Sequence, residues 1–178
     1  MRLVQLITAA WVLAFLASHG ALAFADCDGK PHAAAASSTV TLRLPPNDTL
    51  RAALRGLGAG SGISSGRVKL LIEGLKVRGA EPAAVRVFLN KPEANEKTTV
   101  GSAQYVTSVS LFPVGSQEDS HNFVVDLTPT LKRLVDAQLI NSDQDLLVTF
   151  VAIPLRPRPG ANRVEIHVDR VLLPGDLG

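Results

Sequence analysis

Cysteine, histidine and aromatic residues are all scarce in this chain of 178 residues. Its one cysteine, Cys27, has no second thiol to pair with, so no intramolecular disulfide can form. Four histidines are present. His19 lies in the N-terminal apolar segment, and His32, His121 and His167 are far apart. None of them stands at metal-ligand spacing, and no cysteine pair assists them, so no metal is expected. Tyr105 is the single tyrosine and Trp11 the single tryptophan. The tryptophan also falls in the N-terminal segment. A stacking platform for single-stranded nucleic acid is therefore lacking. Charge of one sign is lacking too. Eighteen basic residues face sixteen acidic ones, for a formal net charge of +2, and no run of five or six like charges occurs. Nucleic acid is not an expected partner.

Catalytic signatures are equally sparse. No G-x-S-x-G elbow occurs. The glycine-serine stretch GLGAGSGISSG lacks the lysine-serine/threonine pair of a phosphate loop, and it follows a helical pattern instead of joining a strand to one. It reads as a turn. Glu118-Asp119 before His121 reads as a polar turn. Asp126 stands where a helix N-terminus favours a carboxylate. His167, Glu165 and Asp169 line one side of a strand and read as a solvated face. No catalytic residue, no metal site and no cofactor are expected, and an enzyme is not.

What is present begins with Arg2 and the apolar run from Leu3 to Leu16. The run is shorter than the roughly 20 residues a membrane span needs. Small residues follow as Ala21-Leu22-Ala23 and Ala23-Phe24-Ala25. Residues 1–25 thus read as a cleavable signal peptide, and the protein is expected to be secreted or periplasmic. Asp26 stands before Cys27 where a lipobox needs a small residue, so a lipid anchor is not expected. No later segment is long and apolar enough to span a bilayer, and no membrane association is expected after cleavage. Residues 26–38 read as a disordered leader. The mature chain after signal cleavage, about 150 residues, suits one domain that folds without a disulfide. Its expected extent is 39–174.

Within that extent, period-2 alternation marks strands. Val40, Leu42 and Leu44 form the first, ended by Pro45-Pro46. Asn47 or Asp48 can cap a helix carrying Leu50, Leu54 and Leu57. A strand over Arg67 to Val77 places Val68, Leu70 and Ile72 on one side. Gly74 is expected to be a bulge, after which Leu75 and Val77 resume the pattern. Val85, Val87 and Leu89 predict the next strand, ended by Asn90-Lys91-Pro92. Residues 91–101 read as a polar loop. Ala103 to Phe112 and Asn122 to Asp126 are two more strands. Thr128-Pro129 reads as a helix start, with Thr128 as cap and an apolar stripe of Leu131, Leu134, Val135 and Leu139. Asn141 and Ser142 read as its end. The run LLVTFVAI from Leu146 to Ile153 predicts a central strand. The segment PLRPRPG from Pro154 to Gly160 reads as a rigid exposed loop. Val164, Ile166 and Val168 predict the last strand, extended by Val171 to Leu173 after a register shift. The expected class is mainly β: an antiparallel β-sandwich or barrel of about seven strands with one or two short helices.

The succession of these elements from Val68 to Leu173 resembles the C-terminal β-domain of polyphenol oxidases and tyrosinases, the type-3 copper proteins. The residues that carry the resemblance are Val85-Arg86-Val87-Phe88-Leu89-Asn90, then Tyr105-Val106-Thr107-Ser108-Val109-Ser110-Leu111-Phe112. Phe123-Val124-Val125-Asp126-Leu127-Thr128 follows, leading into Leu131-Lys132-Arg133-Leu134. Leu147-Val148-Thr149-Phe150-Val151 and Val168-Asp169-Arg170-Val171-Leu172-Leu173 complete it. Plant members carry Lys-Phe-Asp-Val before the asparagine; here Ala84-Val85-Arg86-Val87 keeps only the valine.

The resemblance implies a β-domain that packs over the mouth of a copper site as a shield or chaperone-like cover. A type-3 site needs two sets of three histidines, so the oxidase would be a separate protein. The resemblance carries no catalytic residue over to this chain. It implies a non-catalytic interaction domain whose partner is a type-3 copper oxidase. The side chains expected to shield that partner are apolar and exposed: Leu155 in PLRPRPG and Phe112 before Pro113. The alternative is an extracellular β-sandwich module that binds carbohydrate or another small ligand.

Overall fold

A computed structural model describes residues 38–58, 67–79, 82–112, 120–156 and 164–173. The expected signal peptide, residues 26–37 of the expected leader with Cys27 and His32, residues 59–66 of the glycine-serine stretch, Glu118-Asp119 and residues 157–160 lie outside the described residues. Along the chain run β1 (Thr39–Leu44), α1 (Asp48–Gly58), β2 (Lys69–Arg78), β3 (Ala83–Leu89) and β4 (Tyr105–Leu111). Next come β5 (His121–Asp126), α2 (Thr128–Asp136), β6 (Leu146–Pro154), β7 (Glu165–His167) and β8 (Arg170–Leu172). Among the described residues the strands make two antiparallel sheets and no closed barrel, so the sandwich form of the expected class is the one observed. The first sheet has the order β1-β6-β3-β4. The second has β2 at its centre, with β5 on one side and β7 and β8 on the other.

Alternation in the sequence drives this packing. Val85, Val87 and Leu89 of β3 and Val148, Phe150 and Ala152 of β6 point between the sheets. Leu70, Ile72 and Leu75 of β2 and Ile166 and Val171 of β7 and β8 meet them from the other side. All lie in one buried cluster, which removes their apolar surface from water at about 25 cal/mol per Å². β6 is buried on both faces over most of its length, as a near-continuous apolar run requires. Its outer side is covered by the connection from Asn90 to Gln104, where Ala94 packs against Phe88 and Val151 with Tyr105 beside them. Arg86 pins this connection by donating to the Thr98 carbonyl at 2.9 Å.

Both helices sit at one end of the sandwich. Asn47 caps α1, accepting the Leu50 N–H at 2.7 Å. The start of α2 differs from expectation. Leu127 occupies the cap position and makes no side-chain cap bond. The Thr128 hydroxyl instead accepts the Val68 N–H at 2.9 Å, which ties the start of α2 to the residue just before β2. Asp126 accepts the Thr128 N–H at 2.9 Å. The end of α2 also differs. The helix stops at Asp136, and Leu139, expected on its apolar stripe, is an exposed side chain. Gln138 takes a left-handed φ of 56°, the Leu139 N–H bonds Leu134 O, and the Gln138 N–H bonds Val135 O. That pattern closes the last turn before the stripe can continue. No described helix is long and apolar enough to cross a membrane.

Gly74 is the expected bulge. The β2–β5 register shifts between Ile72 and Leu75, and Gly74 has φ 68°. The strand opposite breaks at the same level: β7 pairs with Lys76 to Arg78, and β8 with Leu71 to Glu73. The expected last strand is therefore two short ones, which raises the observed strand number to eight.

Candidate functional site

At the end of the sandwich opposite the helices, β4 and β6 finish and β3 begins. Ala83 of β3 lies opposite Leu111 of β4 and opposite Pro154 of β6. One residue further out, the same row reads Phe112, Pro82, Leu155. The Leu155 N–H donates to the Pro82 carbonyl at 2.9 Å, so the ladder runs one residue beyond β6. It stops there because proline has no N–H to return. Leu155 is thus fixed at a strand end and does not belong to a free loop.

The two sequence-derived candidates are therefore brought together. They flank Pro82 on the two strands beside β3, a separation of about 10 Å at ordinary strand spacing. Alternation also puts both on the outer side of the first sheet. Val85, Val87, Val148, Phe150 and Ala152 point into the core, so Ala84, Pro82, Ile153, Leu155, Ser110 and Phe112 point away from it. Phe112 is 59% exposed and Leu155 45%. Ala84, Pro82 and Ile153 are half-buried beside them. Arg156 follows, exposed. The result is a short apolar row on rigid backbone, and sequence reasoning missed that the two residues share it. The signal lay in register: both follow the last inward-facing residue of their strands by one position or by three.

A second polar cluster surrounds the bulge. His167 Nε2 lies 2.8 Å from Asp169 Oδ1. Arg170 Nε donates to Glu73 Oε2 at 2.8 Å, and Asn122 Oδ1 accepts the Gly74 N–H at 3.0 Å. Glu165 lies opposite Arg78 in the ladder, on the same side of β7 as His167, with buried Ile166 between them. Among the described residues no group of three or more potential metal ligands occurs. His121 points elsewhere, its ring 6.1 Å from that of Phe123. Tyr105 sits edge-on to Phe88 at 5.8 Å, with its hydroxyl 2.8 Å from that of Ser108.

Two carboxyls are held below the usual range. Asp126 is lowered first by the hydrogen bond from the Thr128 side chain, then by that from its backbone N–H. The Thr128 hydroxyl can serve both neighbours, because it accepts from Val68 and has its own proton to donate. Glu93 is lowered by its own backbone N–H and then by Lys91, 3.0 Å away. Both are surface carboxylates with local structural partners.

No family model matches the chain. No curated protein matches it either. Solved structures do. A recombinantly expressed latent aurone synthase (polyphenol oxidase) is similar over 73% of this chain, at 14% identity and a TM-score of 0.41. The latent aurone synthase from natural source gives 73%, 16% and 0.43. Latent apple tyrosinase gives 77%, 15% and 0.47. The chain spans about a quarter of the length of these proteins, 24%, 24% and 26% respectively.

Proposed function

We propose that this protein is a secreted, non-catalytic interaction domain that covers or assists a separate type-3 copper oxidase. The observation that carries the reading is the row Phe112–Pro82–Leu155: two exposed apolar side chains held on strand ends, at the end of the sandwich opposite the two described helices. Isolated exposed apolar residues are ordinary. Two of them locked to one row by a backbone ladder form a preorganised contact, which loses little entropy on docking. The succession of sequence motifs from Val68 to Leu173 supplies the class of partner. Side chains of this kind work by filling an apolar recess and excluding water from it, not by chemistry of their own.

The test is to mix or co-express the protein with a type-3 copper oxidase from the same source. A complex is expected, with a change in the oxidase's copper loading or latency. Phe112→Asp and Leu155→Asp are each expected to weaken it. No complex, together with unchanged copper loading and latency, would overturn the reading.

A further inference from the structure

The outer edge of β4 carries an inference that does not depend on the oxidase. In the first sheet the Leu155 N–H bonds Pro82, so even-numbered residues of β3 bond towards β6. The odd-numbered ones bond towards β4, as the Leu89 N–H to Gln104 carbonyl bond of 2.9 Å shows. Val85 lies opposite Val109 and Ala83 opposite Leu111, so Val109 and Leu111 bond inward. The N–H and C=O groups of Ser108, Ser110 and Phe112 must then point out of the sheet.

One end of that edge is closed. The register shift between Val87 and Phe88 turns the Tyr105 carbonyl outward. There it accepts from Arg133 at 2.7 Å and from the Thr130 hydroxyl at 3.0 Å. Beyond it, no described group bonds the outward backbone of Ser108, Ser110 or Phe112. The strand carries no charge, proline or glycine: its sequence is YVTSVSL. The other edges differ. β1 carries Arg43, β5 carries His121 and Asp126, and β7 and β8 carry Glu165, His167 and Arg170. Charges on an edge strand oppose pairing with another chain, and β4 has none of this protection.

We infer that the β4 edge pairs with β4 of a second copy of this chain, antiparallel, about a twofold axis at Ser110. That register sets Ser110 opposite Ser110 of the second copy and Ser108 opposite Phe112. Each of the three pairs exchanges two backbone hydrogen bonds, so all the open groups are satisfied. Identical strands meeting about a twofold put like residues near one another, which a charged edge could not tolerate. Here the facing residues are serine and phenylalanine. Small exposed hydroxyls let the backbones approach, and the α2 contact at Tyr105 stops the pairing before it meets the helix. The two first sheets then become one continuous sheet. Because edge bonds run in the sheet plane, the Phe112–Pro82–Leu155 row of each copy stays on an outer face, and the dimer carries it twice.

Sedimentation of the purified protein over about a hundredfold range of concentration tests the pairing by mass action. A monomer–dimer equilibrium is expected. Ser110→Lys sets two like charges across the axis and is expected to give monomer at every concentration. Val124→Lys, an exposed change on β5, is expected to leave the dimer intact. Backbone hydrogen exchange supplies a readout that needs no variant: the amides of Ser108, Ser110 and Phe112 are expected to be protected in concentrated and not in dilute solution. A protein that is monomeric throughout overturns the proposal, as does a dimer that Ser110→Lys leaves unchanged. Protection of these amides in the monomer also overturns it, because another part of the same chain would then occupy the edge.

Discussion

The carboxylate of Asp169 fills the space that a side chain on Gly74 would require. The Asp169 N–H also donates to the Glu73 carbonyl at 3.1 Å, so the backbone holds the aspartate over the bulge. Two strands break together here. β2 gains its bulge at Gly74, and the chain opposite leaves the ladder at Val168 and Asp169 before resuming as β8.

Gly74→Ala tests this arrangement. An alanine would face the left-handed φ of 68° and displace the whole Asp169 side chain, including its Cβ. The backbone term is about 1–2 kcal/mol and overpacking adds about 1–3 kcal/mol. A loss of about 2–5 kcal/mol in unfolding free energy is expected from denaturant titration. Asp169→Gly in the same background should recover the steric part and leave the backbone part. Equal stability of wild type and Gly74→Ala would contradict the geometry.

The exposed apolar row makes a separate prediction. Neither Phe112 nor Leu155 belongs to the buried core, so replacing either by aspartate should change stability by no more than about 0.5 kcal/mol. The same replacements should weaken association with a copper oxidase. A large drop in melting temperature would show that these side chains are structural, and would remove the reason for assigning them a partner.

Acid sensitivity has a local source at Asp126. Its folded pKa lies below the unfolded one, mainly through Thr128. The carboxylate therefore adds stability above its unfolded pKa of about 3.9, and that contribution is lost as pH falls through the lower folded value. The effect is small because the group is exposed. Asp126→Asn keeps an acceptor for the Thr128 N–H but cannot titrate. Its unfolding free energy should fall less steeply than that of wild type as pH drops below about 4. Parallel acid limbs for the two proteins would count against the assignment.

Much of this architecture was legible from residue pattern. The alternation of Val40-Leu42-Leu44 and Val164-Ile166-Val168, the bulge at Gly74 and the doubly covered β6 all follow from where apolar side chains recur. What escaped were features decided by contacts distant in sequence. Thr128 looks like a helix cap in isolation, yet its hydroxyl is claimed by Val68, sixty positions away. The alignment of Phe112 with Leu155 depends on a register through β3 that neither segment encodes alone. The break between β7 and β8 answers the bulge in β2. The end of α2 was missed for a local reason: glycine is the usual signal for a left-handed terminating residue, and here glutamine takes that position.

That glutamine gives the last prediction, by contrast with a second residue of similar backbone. Gln138 and Asn90 both have positive φ, 56° and 49°. Glycine occupies this region without the side-chain penalty of about 1–2 kcal/mol, offset in part by its greater freedom when unfolded. The Gln138 side chain is exposed, so Gln138→Gly removes the penalty and little else. It should stabilise the protein by about 0.5–1 kcal/mol. Asn90 differs because its Oδ1 accepts the Leu147 N–H at 2.9 Å while its own N–H bonds the Leu147 carbonyl at 2.8 Å. Asparagine also tolerates the left-handed region better than most residues, so glycine gains less there. Asn90→Gly leaves the N–H of Leu147 without its side-chain acceptor and should destabilise by about 1 kcal/mol or more. Denaturant midpoints at unchanged slope measure both. Two shifts of the same sign would mean that backbone conformation alone governs these positions and that the Asn90–Leu147 bond contributes nothing.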